Sequence, residues 1–144
     1  MIERPIIVHD LKDAMIAISV ASHQGCKVTL INAPEASGYL GPQVFHEIVE
    51  QAKIGHKDTD VHAVFDCGCD AGVALSALRH GLKVIRIDAP SRTIKKISDI
   101  ATQMQARVEP VQAGIMEEVT AVLDLLDLDD AESAIRSWLS REET

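Results

Sequence analysis

The chain predicts an α/β domain built on a mainly parallel sheet with doubly wound, right-handed crossovers. Three observations predict it. Short apolar runs rich in β-branched residues alternate with stretches whose apolar residues recur at helical spacing. Hydrophobic residues make up 47% of the chain but aromatics only 3%, so the core is built from Ala, Val, Ile and Leu, as in parallel strands flanked by helices. Turn formers sit where one pattern gives way to the next.

Taken in order, Ile6–His9 reads as the first strand. Leu11–His23 follows with Leu11, Ala14, Met15, Ile18 and Ala21 on one face, Asp10 as N-cap and Gly25 as stop. Lys27–Ile31 is a second strand, and Asn32–Gly41 a long turn-rich connection. Pro42 suits a first helical position, and Val44, Phe45, Ile48, Val49 and Ala52 stripe the helix after it. Val61–Phe65 is a third strand, followed by a helix over Ala71–His80 with Gly81 at its end. Lys83–Ile87 is a fourth strand. Ser91 is expected to cap a helix carrying Ile94, Ile97, Ile100, Ala101 and Met104. Arg107–Val111 is a short fifth strand, placed at an edge because Pro110 cannot donate to a ladder. Two C-terminal helices are expected, over Ile115–Leu126 and Ala131–Arg141.

No linker or repeat divides the chain, so one domain is expected over residues 1–144, within the usual size of a single core. Its architecture is expected to be three-layer, flavodoxin-like or Rossmann-like, with four or five strands in the order 2-1-3-4-5. A closed eight-stranded barrel needs about 250 residues, more than this chain has. The stretch Asp66–Asp88 nevertheless resembles one βαβ unit of such barrels, through residues common to many βαβ turns.

Charge and composition exclude several classes. A net charge of −8 argues against nucleic-acid binding, which needs a basic surface. The acidic residues gather late, from Glu117 and Glu118 to Asp130 and Glu132, and read as a solvated helical face. Arg79, His80, Lys83, Arg86, Arg92, Lys95 and Lys96 form a basic stretch in mid-chain. No apolar run approaches the roughly 20 residues of a membrane span, and the N-terminus lacks the pattern of a signal peptide. Cys26, Cys67 and Cys69 form no disulfide framework. A cytoplasmic protein is expected.

The segment Val61–Gly72, V-H-A-V-F-D-C-G-C-D-A-G, is the most informative. An apolar strand ends in Asp66, Cys67, Gly68, Cys69 and Asp70, at the end of a strand where α/β folds place their sites. In the 2-1-3-4-5 order, His9 and Asp10 after the first strand face these residues across a crevice, with Asn32 and Asp88 ending strands 2 and 4. A thiol near a helix N-terminus can be a nucleophile with His9 as base. Asp66 and Asp70 oppose this by favouring the protonated thiol, and free cysteines are commonly packing residues. A metal held by Cys67, Cys69, His9 and a carboxylate is the second option. C-x-C is a weak signature, and none is assigned. Anion binding at Gly68–Gly72 is the third, without a Walker or dinucleotide fingerprint to support it. Ser37-Gly38-Tyr39 reads as a surface loop or a lid.

The expected function is therefore a small module that binds a polar small molecule through His9, Asp10, Asn32, Asp66, Gly68, Asp70 and Asp88. The alternative is a small enzyme using Cys67 or Cys69 with His9 and Asp66. No cofactor is indicated. The C-terminal helical pair, at about 114–142, is expected to pack on the domain or at a homodimer interface, because its stripe through Trp138 needs a partner.

Overall fold

The computed structural model describes residues 4–33, 40–110, 122–126 and 128–140. Among them are six strands: β1 (Pro5–Ile7), β2 (Val28–Ile31), β3 (Val61–Asp66), β4 (Val84–Ile87), β5 (Arg107–Pro110) and β6 (Leu123–Asp124). The helices are α1 (Leu11–Gln24), α2 (Pro42–Ala52), α3 (Ala71–Arg79), α4 (Ser91–Gln103) and α5 (Ala131–Leu139). The strands form one α/β parallel sheet in the order β5-β4-β3-β2-β1-β6. By its contacts the chain divides into two compact units.

The first unit comprises Met1–Ile31, Glu47–His62 and Thr120–Thr144. Its strand β1 pairs with β2 from Pro5 opposite Thr29 to Ile7 opposite Ile31. On its other edge, β1 pairs with β6, Ile6 opposite Leu123 and Ile7 opposite Asp124. Both neighbours are parallel to it, and β1 and β2 are buried throughout. Helix α1 starts where Asp10, in an extended conformation, accepts the Asp13 N–H on Oδ1 at 2.9 Å. It ends at Gly25, whose φ of 66° is left-handed and favours glycine. Its buried stripe of Ala14, Ala17, Ile18 and Ala21 is built mostly of alanine, which lets another helix approach closely. Helix α5 packs against α1 and buries Ile135 and Trp138. The indole Nε1 of Trp138 donates to the Arg4 carbonyl at 3.1 Å, satisfying its polar edge.

The second unit comprises Asn32–His46 and Ala63–Val119. Here β4 lies between β3 and β5, with Phe65 opposite Ile85 and Ile85 opposite Val108. Helices α3 and α4 pack side by side, α3 against β4 and α4 against β5. Asp70 caps α3 by accepting the Val73 N–H at 3.1 Å. The Phe45 and Phe65 rings meet at 5.5 Å in a tilted pair, and Leu78, Ile85, Ile87 and Ile97 complete a buried core. As Pro110 requires, β5 is an edge strand.

Four expectations are corrected. Among the described residues there are six strands rather than four or five. The order 2-1-3-4-5 needs β1 between β2 and β3, whereas β2 and β6 occupy its two edges; the chain order reverses between β1 and β6. The helix expected over Ile115–Leu126 gives way at its end to the strand Leu123–Asp124, because pairing with β1 outweighs a local helical pattern; residues 115–121 lie outside the described residues, as does Ser37-Gly38-Tyr39. Ser91 lies inside α4, where Pro90 holds the cap position without a side-chain bond.

Trp138→Ala is expected to lower unfolding stability by about 3–5 kcal/mol, and Trp138→Phe by less, since it keeps an aromatic body while losing the indole donor and part of the ring. Urea unfolding checks this, with the midpoint shifting and the slope unchanged.

Candidate functional site

Chemistry-bearing residues gather at strand ends in each unit. In the first unit, β1 ends just before His9, and Asp10 opens α1. The His9 N–H donates to Asp13 Oδ2 at 2.9 Å, so the turn is fixed by the helix it precedes. The imidazole Nε2 lies 2.6 Å from Asp124 Oδ1, on the residue that ends β6. The same carboxylate oxygen accepts the Leu126 N–H at 2.9 Å. With Asp124 ionised, the ring donates through Nε2. No described residue hydrogen-bonds Nδ1. The His9 and Asp124 side chains are 24% and 46% exposed, so a solute can reach them.

Partial burial pushes the Asp124 carboxyl up, but the His9 hydrogen bond, the Leu126 amide and the His9 charge together hold it below its ordinary value. The neighbouring Asp13 moves the other way. Burial raises it, and the charges of Asp10 and Asp124 add to that, against the His9 amide bond and the His9 charge. The chain order reverses between β1 and β6, and open α/β sheets bind ligands at the carboxyl ends of the strands flanking such a switch point. The His9–Asp124 pair occupies that position.

In the second unit, Asn32 follows β2 and is fully buried. Its Nδ2 donates to the Asp66 carbonyl at 3.0 Å, and its Oδ1 accepts the Asp66 N–H at 2.6 Å. A side chain thus replaces a rung of the ladder where β3 ends. Gly68, at φ 61°, turns the chain and donates its N–H to Asp66 Oδ1 at 2.8 Å. A Cβ there would meet nothing, so the glycine serves the backbone conformation. The Gly68 carbonyl accepts the Asp88 N–H at 2.8 Å, joining the two loops. Burial raises the Asp66 carboxyl, as does the Asp88 charge, against the Gly68 amide and the Arg86 charge. Asp70 is spent on its helix cap.

Cys67 is buried, with Sγ 3.8 Å from the Phe65 carbonyl. Burial, then Asp66 and Asp70, push its thiol up to about 12, the opposite of what a nucleophile needs. Cys69 is exposed. Among the described residues, no group of three His, Cys, Asp or Glu side chains could hold a metal, and no helix is long and apolar enough to cross a membrane.

The anticipated residues therefore fall into two sets. His9 and Asp10 belong to the first unit, while Asn32, Asp66, Gly68, Asp70 and Asp88 belong to the second. Their meeting across one crevice required β1 beside β3, an adjacency the sheet lacks. Asp124 escaped sequence reasoning, since it reads as one acid among many on a helical face. Its partner is 115 residues away, and no local signal joins them. Arg86 was visible only as one of a basic stretch.

No protein-family model matches this chain, and no curated protein matches it. Its fold is similar to that of a Coccidioides immitis protein whose crystal structure was assigned as a fructose-1,6-biphosphate aldolase, with 15% identity and a TM-score of 0.63 over 76% of this chain. The chain spans 40% of that protein's length. At this identity the likeness is one of fold: a parallel-sheet α/β protein.

Two predictions follow from this geometry. In peptide mass spectrometry of the native chain at neutral pH, iodoacetamide is expected to label Cys69 readily and Cys67 only after unfolding; rapid Cys67 labelling would contradict its burial. Asp124 has a depressed pKa in the fold, so its contribution to stability is present above its ordinary value of 3.8 and is lost as pH falls through the folded value. Asp124→Asn is accordingly expected to destabilise at about pH 7, with the deficit shrinking as pH falls below 3.8, as read by denaturant titration at each pH.

Proposed function

We propose that this chain binds a polar small molecule at the carboxyl ends of β1 and β6, with His9 and Asp124 as the principal contacts. The observation that carries the reading is the 2.6 Å His9–Asp124 hydrogen bond at the point where strand order reverses. Asp124 fixes the ring, and in the neutral imidazole this leaves Nδ1 to accept a hydrogen bond from a ligand hydroxyl or amide N–H. Asp10 and Asp13 give the surroundings a negative charge, which favours a neutral or cationic polar group over a second anion. The net charge of −8 supports a small-molecule ligand over nucleic acid. Three cysteines without a disulfide among them support a reducing, cytoplasmic setting.

A second reading rests on the same bond. A histidine oriented by a carboxylate is the arrangement that serves proton transfer, so the pair would act as general base or acid on a bound substrate. This replaces the thiol chemistry of Cys67, whose raised pKa opposes it.

A thermal-shift screen of neutral and cationic polar metabolites tests the proposal. At least one is expected to stabilise the parent chain, with the shift lost in His9→Ala and reduced in Asp124→Asn. Equal shifts in the parent and both variants would exclude this pair as the ligand site. Turnover of a stabilising compound by the parent, abolished in His9→Ala, would favour the enzyme reading.

A further inference from the structure

A second charged arrangement lies wholly within the second unit. Asp66 is opposite Arg86 in the β3–β4 register, and Arg86 is opposite Glu109 in the β4–β5 register. Register partners in adjacent parallel strands point to the same side of the sheet. The three side chains thus form one row of alternating charge across neighbouring strands, spaced about 4.8 Å apart, at the carboxyl ends where α/β sheets bind ligands.

The row is not internally satisfied. Arg86 is partly buried, yet among the described residues its guanidinium makes no hydrogen bond and no ion pair within 4 Å. Asp66 spends Oδ1 on the Gly68 amide, and its other oxygen has no hydrogen-bond partner among the described residues. Glu109 Oε1 is shut off from solvent without a hydrogen bond, and its nearest cation is Arg107 at 3.9 Å. Five planar donors held partly out of water need an acceptor, and a free carboxylate oxygen lies one strand away. A plain anion would meet Arg86 but also two carboxylates, and a plain cation would meet Arg86 as a like charge. A ligand bearing both signs satisfies both demands.

We infer that the Asp66–Arg86–Glu109 row binds a small zwitterion of the amino-acid class, its carboxylate on the Arg86 guanidinium and its ammonium on the free oxygen of Asp66. Glu109 flanks Arg86 in register from the edge strand. The inference is independent of the His9–Asp124 reading, because its residues all belong to the other unit.

The test uses the whole chain and the standard L-amino acids, screened singly by thermal shift, with the strongest carried to calorimetry. Two derivatives of that amino acid serve as controls: the decarboxylated amine and the N-acetyl form. At least one amino acid is expected to bind saturably at millimolar concentration or below. Each derivative, lacking one charge, is expected to bind at least about tenfold more weakly. Arg86→Met should lose a similar factor, and Arg86→Lys should lose part of it, since lysine keeps the charge without the bidentate fork. The inference is overturned if no amino acid binds, if both derivatives bind as well as their parent, or if Arg86→Lys and Asp66→Asn both keep full affinity. Should Arg86→Met fail to fold, the derivative comparison on the parent chain decides.

Discussion

A strand has two hydrogen-bonding edges, and the fold depends on what occupies those of β1. Residues Pro5–Ile7 take β2 on one side and the two-residue β6 on the other. Since every parallel neighbour needs a crossover of a dozen or more residues, occupation of the second edge by a segment from the far end of the chain sets the course of everything between. Strands β1 to β5 follow one another across the sheet, and the reversal falls between β1 and β6. The same pairing carries Asp124 to His9.

The two clusters use similar groups in different ways. Around His9, carboxylates sit close to one cation-forming ring. The one that hydrogen-bonds the ring is held ionised, while the neighbouring Asp13 is pushed up by burial. Around Asp66, burial dominates, and the backbone amide of Gly68 only offsets it. Cys67 shows how completely position governs a thiol. A helix N-terminus alone would lower its pKa, but full burial between two aspartates raises it, and the C-x-C segment becomes a turn with one packed sulfur and one exposed.

Local chemistry was legible where a residue acts within a few positions of itself. Asp10 and Asp70 cap their helices, Gly25 ends α1 in the left-handed region, and Pro110 keeps β5 at an edge. Each effect is a short-range hydrogen bond or a backbone constraint, visible in a window of four or five residues. Leu123–Asp124 could not be read this way. Two residues inside an apolar stripe of helical spacing carry no strand periodicity, and only the open edge of β1 makes them a strand. Arg86 and Glu109 were similarly opaque, for their significance lies in register across strands.

By itself the sequence determined the α/β class, the alternation of elements, most of their boundaries and the polar character of the strand ends, because propensity, capping and burial pattern are encoded locally. Tertiary structure alone decided which strand ends meet. It joined His9 to Asp124, aligned Asp66, Arg86 and Glu109, and closed α1 over Trp138. These are choices among long-range pairings whose local signals are alike, and they are settled by which arrangement fills both edges of β1 and buries the apolar faces.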